Sequence, residues 1–255
     1  MSVPMSEPLS DTMSDPTSGI ALSAVHLRLG GRQVLDGLSL RLTEARIGLL
    51  GRNGSGKTTL MRLIAGLVAP ERGTVRVDGV DPFTDRKACL AAIGILFQNP
   101  DHQILFPIVE EELAFGLAQQ GLPQAEALAR ARAALAAEGR AHWAKAPVST
   151  LSQGQRHYLC LLAVLLMRPR TILLDEPLAG LDLPTQARLA RRFAALPQRL
   201  ITITHDPATL IGADRVIWLE AGRVVADGPP AMVIPAFAAE MARIGERDAD
   251  TDLAG

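Results

Sequence analysis

The nine residues GRNGSGKTT, at positions 51–59, have the types and spacing needed to bind a phosphate chain. The glycines allow tight turns and bring the backbone close to a ligand, so that successive N–H groups can surround an anion. Lys57 can reach β- and γ-phosphates as a positive charge, and the Thr58 hydroxyl can ligate Mg²⁺. The candidate phosphate-binding residues are Gly51, Arg52, Asn53, Gly54, Ser55, Gly56, Lys57, Thr58 and Thr59.

The sequence on either side of this loop supports the same interpretation. Residues 47–50 form a short apolar run typical of a buried strand, and residues 60–67 carry apolar side chains at helical spacing. Strand, loop and helix in this order are the arrangement that a phosphate-binding loop requires. The alternative, a glycine-rich turn that binds nothing, is disfavoured by these flanks.

Two acidic residues follow another apolar strand, at residues 172–174. A buried strand would deliver Asp175 to the carboxyl edge of a sheet, where ligands bind in α/β folds and where it could hold Mg²⁺. Glu176 could polarise an attacking water, an effect on the order of 10²–10⁴ in rate. The alternative is a helix N-terminus that carries two acids, which the phosphate loop makes the weaker interpretation.

Two further polar residues stand at the ends of predicted strands. Gln98 ends the apolar stretch at residues 93–97 and could coordinate Mg²⁺ or the attacking water. His205 follows the apolar residues 200–204 and could contact a γ-phosphate. It could equally cap the next helix, which the adjacent Asp206 and proline also suggest.

Residues 151–155, LSQGQ, precede a strongly apolar stretch and predict a second helix N-terminus. Ser152 is a natural N-cap and Gly154 permits a close backbone approach, so this helix end could bind an anion. From this stretch alone, an ordinary capped helix is the simpler interpretation.

Apolar strands alternate with helical stretches along most of the chain, which predicts an α/β core with a mainly parallel sheet. Residues 101–148 contain no convincing strand and predict an inserted helical region, in which Arg130, Arg132 and Arg140 are expected to form a solvated helix face. Residues 231–247 predict a terminal helix, followed by a frayed acidic end.

Composition argues against several classes of protein. The 255 residues carry a formal net charge of −1, which disfavours a protein that coats nucleic acid by bulk charge. The two cysteines, Cys89 and Cys160, indicate neither a metal site nor a disulfide framework.

Residues 1–19 lack the apolar segment of a signal peptide and predict a disordered leader. The longest strongly apolar run, residues 158–167, is too short to span a bilayer, so any membrane association is expected to go through a partner.

In chain order, the sequence shows GRNGSGKTT, Gln98, LSQGQ, ILLDEP, LAGLD and His205. This series resembles the ATPase domain of ABC transporters, in which the motifs are Walker A, the Q-loop, the signature, Walker B with its catalytic glutamate, the D-loop and the switch histidine. The resemblance covers roughly residues 20–230 and implies a P-loop NTPase core with a mainly parallel sheet and an N-terminal antiparallel β-subdomain. The inserted helical subdomain would occupy about residues 101–165, and residues 231–255 would add a short helix and tail.

The same resemblance implies ATP and Mg²⁺ as cofactors and a head-to-tail dimer, of this chain with itself or with a paralogue, around two ATP molecules. Ser152 and Gly154 of one subunit would contact the γ-phosphate held by the phosphate loop of the other. The implied catalytic residues are Glu176, His205 and Gln98, and the implied metal ligands are Thr58, Asp175 and Gln98.

The residues after Gln98 resemble a narrower group in that family. FQNPDHQ at 97–103 and VEEELAFG at 109–116 are similar to the FQNPDDQ and VEEDVAFG patterns of energy-coupling factor (ECF) ATPases, which serve importers of cobalt, nickel, biotin and other vitamins. Such ATPases attach to a transmembrane coupling protein, which joins a separate substrate-binding membrane protein. The resemblance implies uptake of a vitamin or transition metal, from a peripheral position on the cytoplasmic face of the cell membrane. The run LSQGQRHYLCLLAVL most resembles the ATPase of the biotin module.

Three positions depart from the family pattern. Leu29 stands where an aromatic residue usually stacks on adenine; leucine can pack on the base but cannot stack, which puts adenine selectivity in question. Gln153 stands where glycine is commoner, and His157-Tyr158 replaces the usual Gln-Arg pair.

Besides cobalt or nickel uptake, two other functions remain open at this point. A DNA-repair or chromosome-organising ATPase has the same core, but such proteins carry long coiled-coil insertions, and no heptad run is sustained here. For this reason no nucleic-acid partner is expected. A non-catalytic regulatory subunit would fit Leu29 and Gln153. It is opposed by the presence of the candidate catalytic and binding side chains Lys57, Asp175, Glu176 and His205.

Overall fold

The structure, a computed structural model, describes residues 18–245 and builds them into nine strands and seven α-helices. The strands are β1 (Ile20–Leu29), β2 (Arg32–Leu42), β3 (Arg46–Leu50), β4 (Arg72–Val77), β5 (Ile93–Leu96), β6 (Thr171–Asp175), β7 (Arg199–Thr204), β8 (Arg215–Glu220) and β9 (Arg223–Gly228). The α-helices are α1 (Lys57–Ile64), α2 (Arg86–Ala92), α3 (Val109–Gln119), α4 (Gln124–Ala137), α5 (Gln153–Leu166), α6 (Leu183–Ala194) and α7 (Pro230–Gly245). The predicted leader, except for its last two residues, and the predicted acidic end, from residue 248, lie outside the described residues.

The central sheet has six strands in the order β5-β6-β7-β3-β8-β9. Every neighbouring pair is parallel except β8 and β9, which confirms the predicted mainly parallel sheet. Its inner strands are largely apolar, as in the buried run Ile172, Leu173 and Leu174, which is typical of parallel strands buried on both faces. Since β3, β5, β6 and β7 run in one direction, the residues that follow them meet at one edge of the sheet.

A second sheet confirms the expected N-terminal antiparallel subdomain. It has the order β2-β1-β4, and β1 pairs antiparallel with both neighbours. Its inward residues, such as Val25 and Leu35, share one apolar core with α1 and with the central strands. Helix α1 is therefore held between two sheets, which fixes the position of the loop that precedes it.

The helical region has a core of its own, and within residues 101–148 the structure contains no strand, as predicted. Helix α4 contributes a narrow apolar stripe of Ala127, Ala131 and Leu135. Helix α5 belongs to both cores. Leu159 and Leu162 pack into the helical core, whereas other residues of the same helix pack against the central sheet. This helix is the physical connection between the two parts of the molecule.

Arg132 is exposed, as expected for a solvated helix face, but its guanidinium is also held in an ion pair. Its guanidinium donates from Nε to the Glu110 carboxylate at 2.7 Å, and that glutamate side chain is only 3% exposed. Lys145 binds the same carboxylate. Glu110 lies 22 residues from Arg132, so helical spacing within α4 cannot reveal the pair.

Arg140 is also not a simple surface residue, whereas Arg130 forms an exposed pair with an acid one turn earlier on α4. The Arg140 guanidinium lies over the ring of Trp143, 5.2 Å from its centroid, and over that of Tyr158, at 4.2 Å. These cation–π contacts attach the segment after α4 to α5.

Of the helices α2 and α7, only α7 is predicted from the sequence. Helix α2 is absent from the sequence-based prediction; it begins after Asp85, whose carboxylate accepts a hydrogen bond from the Ala88 N–H at 2.9 Å. Helix α7 agrees with the predicted terminal helix and packs through Phe237 against Trp218. Among the helices of residues 18–245, none combines the length and apolar character needed to cross a membrane.

Candidate nucleotide-binding site

The phosphate loop ends at Gly56, which caps α1 with a left-handed φ of 105°. A Cβ at this position would lie 2.9 Å from the Val34 carbonyl oxygen, so both the conformation and the space require glycine. The first helical bond of α1 runs from the Leu60 N–H to the Gly56 carbonyl. The N–H groups of the first three helical residues therefore have no acceptor within the helix and are available to an anion.

A cavity of about 290 Å³ lies at the carboxyl edge of the central sheet, beside this loop. The structure brings most of the predicted site residues together there. The lining residues are Val34, Asn53, Gly54, Gly56, Lys57, Thr58, Thr59, Gln98, Asp175, Glu176 and Ile203. The other predicted loop residues, Gly51, Arg52 and Ser55, belong to the turn that carries this lining.

Lys57 is 7% exposed, and its Nζ donates to the carbonyl oxygens of Gly51, at 2.7 Å, and Arg52, at 2.8 Å. Burial lowers the pKa of Lys57, although the charges of Glu176 and Asp175 oppose this shift. Within the described residues, Lys57 forms no ion pair closer than 4 Å. Its direct partners are neutral carbonyls, so its charge remains available to a phosphate.

Asp175 ends β6 and is half-buried. Burial raises the pKa of its carboxyl group above the usual value, and the negative charge of Glu176 raises it further. A carboxylate with too little positive charge nearby is a suitable ligand for a cation. Together with the Thr58 hydroxyl and the Gln98 amide oxygen it forms an all-oxygen donor set, which is the chemistry that Mg²⁺ requires.

The Glu176 carboxylate is held at the end of β7. Its Oε2 accepts a hydrogen bond from the Thr204 hydroxyl at 2.8 Å, and its Oε1 accepts one from the His205 backbone N–H at 2.8 Å. The same Oε1 lies 2.6 Å from His205 Nδ1. Glu176 itself has a φ of 45°, an unfavourable conformation for a residue with a side chain. Three contacts thus fix the carboxylate of a residue with a strained backbone at the cavity.

Thr204 is a site residue that the sequence analysis missed. The available signal was a hydroxyl at the last position of an apolar strand, beside a candidate histidine. The alternative role for His205, capping of the next helix, falls instead to Asp206, whose carboxylate accepts from the Ala208 N–H at 3.0 Å.

The predicted cap at Ser152 is confirmed. Its hydroxyl accepts from the Gln155 N–H at 3.3 Å, and the Gln155 side-chain oxygen accepts from the Ser152 N–H at 2.7 Å. A Cβ at Gly154 would lie 2.9 Å from the Thr185 side chain, so glycine lets α5 approach α6 closely. Ser152 and Gly154 do not line the cavity of their own chain within the described residues.

Leu29 also lies outside the cavity lining and is 43% exposed, at the turn between β1 and β2. Val34 is the apolar residue of this region that does line the cavity. The roles assigned to Leu29, Ser152 and Gly154 in binding therefore stay predictions.

Comparison with known proteins identifies the family. The ABC transporter family model matches residues 35–179, more than half of the chain. The chain therefore belongs to the ABC transporter family, and ABC ATP-binding subunits hydrolyse ATP to drive transport. This result agrees with the complete phosphate loop and with the acids that face it.

Individual relatives refine this assignment. The biotin transport ATP-binding protein BioM of Rhodobacter capsulatus is 55% identical over 222 residues, 87% of this chain and 95% of that protein. The energy-coupling factor transporter ATP-binding protein EcfA1 of Ligilactobacillus salivarius is 38% identical over 207 residues, 77% of this chain and 72% of that protein. Among solved structures, cbiO1 of Clostridium perfringens, part of the ABC transporter complex cbiONQ, has a TM-score of 0.72 and 28% identity over 92% of this chain and 97% of that one. The chain is an importer ATPase of the ECF type, as its sequence predicts.

Proposed function

We propose that this chain hydrolyses ATP to energise the uptake of biotin through an ECF importer. The observation that supports this cargo is 55% identity to a biotin transport ATP-binding protein, across 95% of that protein's length. The cobalt import ATP-binding protein CbiO of Syntrophus aciditrophicus is 36% identical, a lower identity that makes cobalt or nickel the weaker candidate cargo.

In the proposed reaction, the loop amides and Lys57 bind the phosphates of ATP. Glu176 polarises the attacking water, and His205 and Thr204 hold its carboxylate in place. Gln98, which also lines the cavity, orients the water. Mg²⁺ held by Thr58, Asp175 and Gln98 would supply positive charge to the phosphates.

The active form is a head-to-tail dimer. Ser152 is exposed and lies outside the cavity of its own chain, which supports an arrangement in which a second subunit presents this helix end to the bound ATP. One chain carries the motifs for both sides of the site, which makes a homodimer the simpler arrangement.

The transmembrane coupling protein docks in a groove of about 600 Å³ formed by α2, α3 and α5. Apolar side chains line this groove, and Leu90 and Leu105 are 55% and 67% exposed. Glu112 fixes the Leu105 segment, because its carboxylate accepts from the backbone N–H groups of Leu105, at 2.8 Å, and Phe106, at 2.9 Å. Large exposed apolar side chains of this kind are typical of interaction surfaces. Docking at this groove would hold the ATPase at the cytoplasmic face of the membrane, the location that the resemblance to ECF ATPases implies.

Transport in proteoliposomes tests the cargo. The chain is purified with its coupling and substrate-binding membrane proteins, and the uptake of radiolabelled biotin, cobalt and nickel is measured with ATP present. We expect biotin uptake that stops in the Glu176→Gln variant. Uptake of a metal ion in place of biotin would refute the cargo, and ATPase activity that rises with duplex DNA but not with the membrane proteins would refute the transport role.

Leu105→Asp tests the groove. A charge there should abolish copurification with the coupling protein and leave ATP binding unchanged. Leu67→Asp is the matched control, because Leu67 is 47% exposed and lies outside the groove. Normal copurification of the Leu105 variant would exclude this groove as the docking site.

A further inference from the structure

His157, on α5, is a buried histidine that contacts the segment after β5. Its side chain is 1% exposed, and its Nε2 lies 3.0 Å from the carbonyl oxygen of Gln98. Its Nδ1 lies 3.2 Å from the carbonyl oxygen of Gln153, at the start of its own helix. The Gln98 side chain lines the nucleotide cavity, whereas α5 begins immediately after Ser152. A single imidazole therefore joins a residue of the cavity wall to a helix end that lies outside the cavity lining.

A neutral His157 is expected to donate its N–H to the Gln98 carbonyl and not to the Gln153 carbonyl. Neutral histidine has one N–H and can donate to only one of the two carbonyls. The Gln153 carbonyl lies in the first turn of α5, where the helical pattern already provides the N–H of residue 157. The Gln98 carbonyl lies beyond the end of β5, where no strand pairing supplies a donor. The Nε2–H tautomer of His157 supplies that donor.

Neighbouring side chains of α5 hold the same segment. Arg156 forms a charge pair with Asp101, with 3.1 Å between Nε and Oδ1. The Cys160 thiol lies 4.0 Å from the Pro100 carbonyl oxygen, one helical turn beyond Arg156. Residues 98–101 are thus attached to α5 at three points, of which the His157 contact is the one made to a residue that lines the cavity.

We propose that His157 is a positioning residue that couples the two ATP sites of the dimer. Gln98 serves the ATP site of its own subunit, whereas the helix end with Ser152 and Gly154 serves the opposite site. His157 links the two through the Gln98 carbonyl. This inference rests on the dimer of the proposed function. A movement of Gln98 at one site is then transmitted to the other site through α5.

The test compares steady-state ATP hydrolysis by the wild-type chain and three variants, each purified with its membrane partners. We expect His157→Ala to lower kcat about tenfold, since small displacements of positioned groups have effects of this order or larger. The KM for ATP should change less than about threefold, because the phosphate loop is untouched. The Hill coefficient for ATP should fall from a value above one in the wild type to about one.

Two further variants separate positioning from packing. His157→Gln keeps an N–H donor and should restore at least about half of the lost kcat and the cooperativity. Tyr158→Phe is the matched control, because it removes a hydrogen bond from α5 to Glu138 and leaves residues 98–101 untouched. It should behave like the wild type. Thermal unfolding of each variant verifies that the measured chains are folded.

Several results would overturn the inference. One is an unchanged Hill coefficient in His157→Ala, and another is a wild-type Hill coefficient of one. Equal losses in the Ala and Gln variants would assign His157 to core packing alone. Gel filtration of Glu176→Gln with ATP separates the two proposals: a monomer refutes the dimer and the coupling together, whereas a dimer with unchanged cooperativity refutes the coupling only.

Discussion

Two sites in this molecule contain acidic side chains withdrawn from solvent, and their surroundings are opposite. At the nucleotide site, burial and the nearby charge of Glu176 raise the pKa of Asp175. In the helical region, the hydrogen bond from Arg132, supported by Lys145, lowers the pKa of Glu110 to about 2 despite the burial of its side chain. The Asp175 carboxylate forms no ion pair within the described residues, whereas Glu110 forms two.

The difference distinguishes a ligand site from a structural one. The negative charge of buried Glu110 is balanced within the chain by Arg132 and Lys145. Asp175 and Lys57 are held close to each other without a direct ion pair, and both have pKa values shifted towards the neutral form. Side chains whose charged form is destabilised in this way gain stability from a charged ligand. This is the physical reason why groups with shifted pKa values are concentrated at functional sites. The two kinds of acid should therefore respond differently to mutation.

The largest effect is expected from Glu176→Gln. Loss of the carboxylate should lower kcat for ATP hydrolysis by about 10²-fold or more, because a general base contributes on the order of 10²–10⁴. ATP binding should persist, since the phosphate loop is intact. Steady-state hydrolysis and nucleotide titration measure the two properties. Glu111→Gln in α3 is the control and should hydrolyse ATP normally; a Glu176 variant within tenfold of the wild type would contradict the assigned role.

The next effect is expected from Lys57→Ala. Loss of charge-assisted hydrogen bonds to phosphate should weaken ATP binding by about 10- to 150-fold, which corresponds to roughly 1.5–3 kcal/mol. Because Lys57 is a buried charge without an ion pair, the ATP-free protein should lose little thermal stability. Calorimetric titration and thermal unfolding measure these quantities. Lys145→Ala, which removes a lysine of the helical region, is the control and should bind ATP normally. A marked loss of thermal stability in Lys57→Ala would contradict the contrast between ligand-binding and structural charges.

Glu110→Gln should have the opposite pattern, with a loss of stability and no loss of ATP binding. Removal of its charged hydrogen bonds should lower the free energy of unfolding by about 1.5–3 kcal/mol at pH 7. The pKa of Glu110 falls from 4.5 to about 2 on folding, so its contribution is complete above pH 4.5 and is lost as the pH falls towards 2. Urea unfolding at pH 7, 4 and 3 should therefore show a narrowing difference between wild type and variant. A difference that stays constant at pH 3 would exclude this carboxylate as its source.

The contrast also explains which features could be predicted from the sequence. The phosphate loop, Gln98, Asp175 and His205 each follow or precede an apolar strand, so local pattern and residue type indicate both their position and their chemistry. A parallel sheet then brings such residues together at one edge without any further information. Most of the cavity lining could therefore be predicted.

Contacts between distant segments could not be predicted in this way. The pairing of Glu110 with Arg132 depends on how α3 packs against α4, and the bond from His157 to Gln98 joins residues 59 positions apart. Helix α2 has only seven residues, too few for a clear apolar period. Residues that bind a ligand or react can therefore be predicted from the sequence more readily than residues that position other residues.

The smallest effect is expected at the base end of the site, where no charge is involved. Leu29→Tyr places an aromatic ring where the sequence predicts contact with adenine, and ring stacking adds about 0.5–1.5 kcal/mol, or two- to tenfold in affinity. Since the ring can stack on any purine, the KM values for ATP and GTP should fall together. Leu67→Tyr, at another exposed leucine, is the control for a general surface effect. An unchanged KM would mean that the base does not lie against residue 29, and Val34, which lines the cavity, would then be the apolar residue that contacts it.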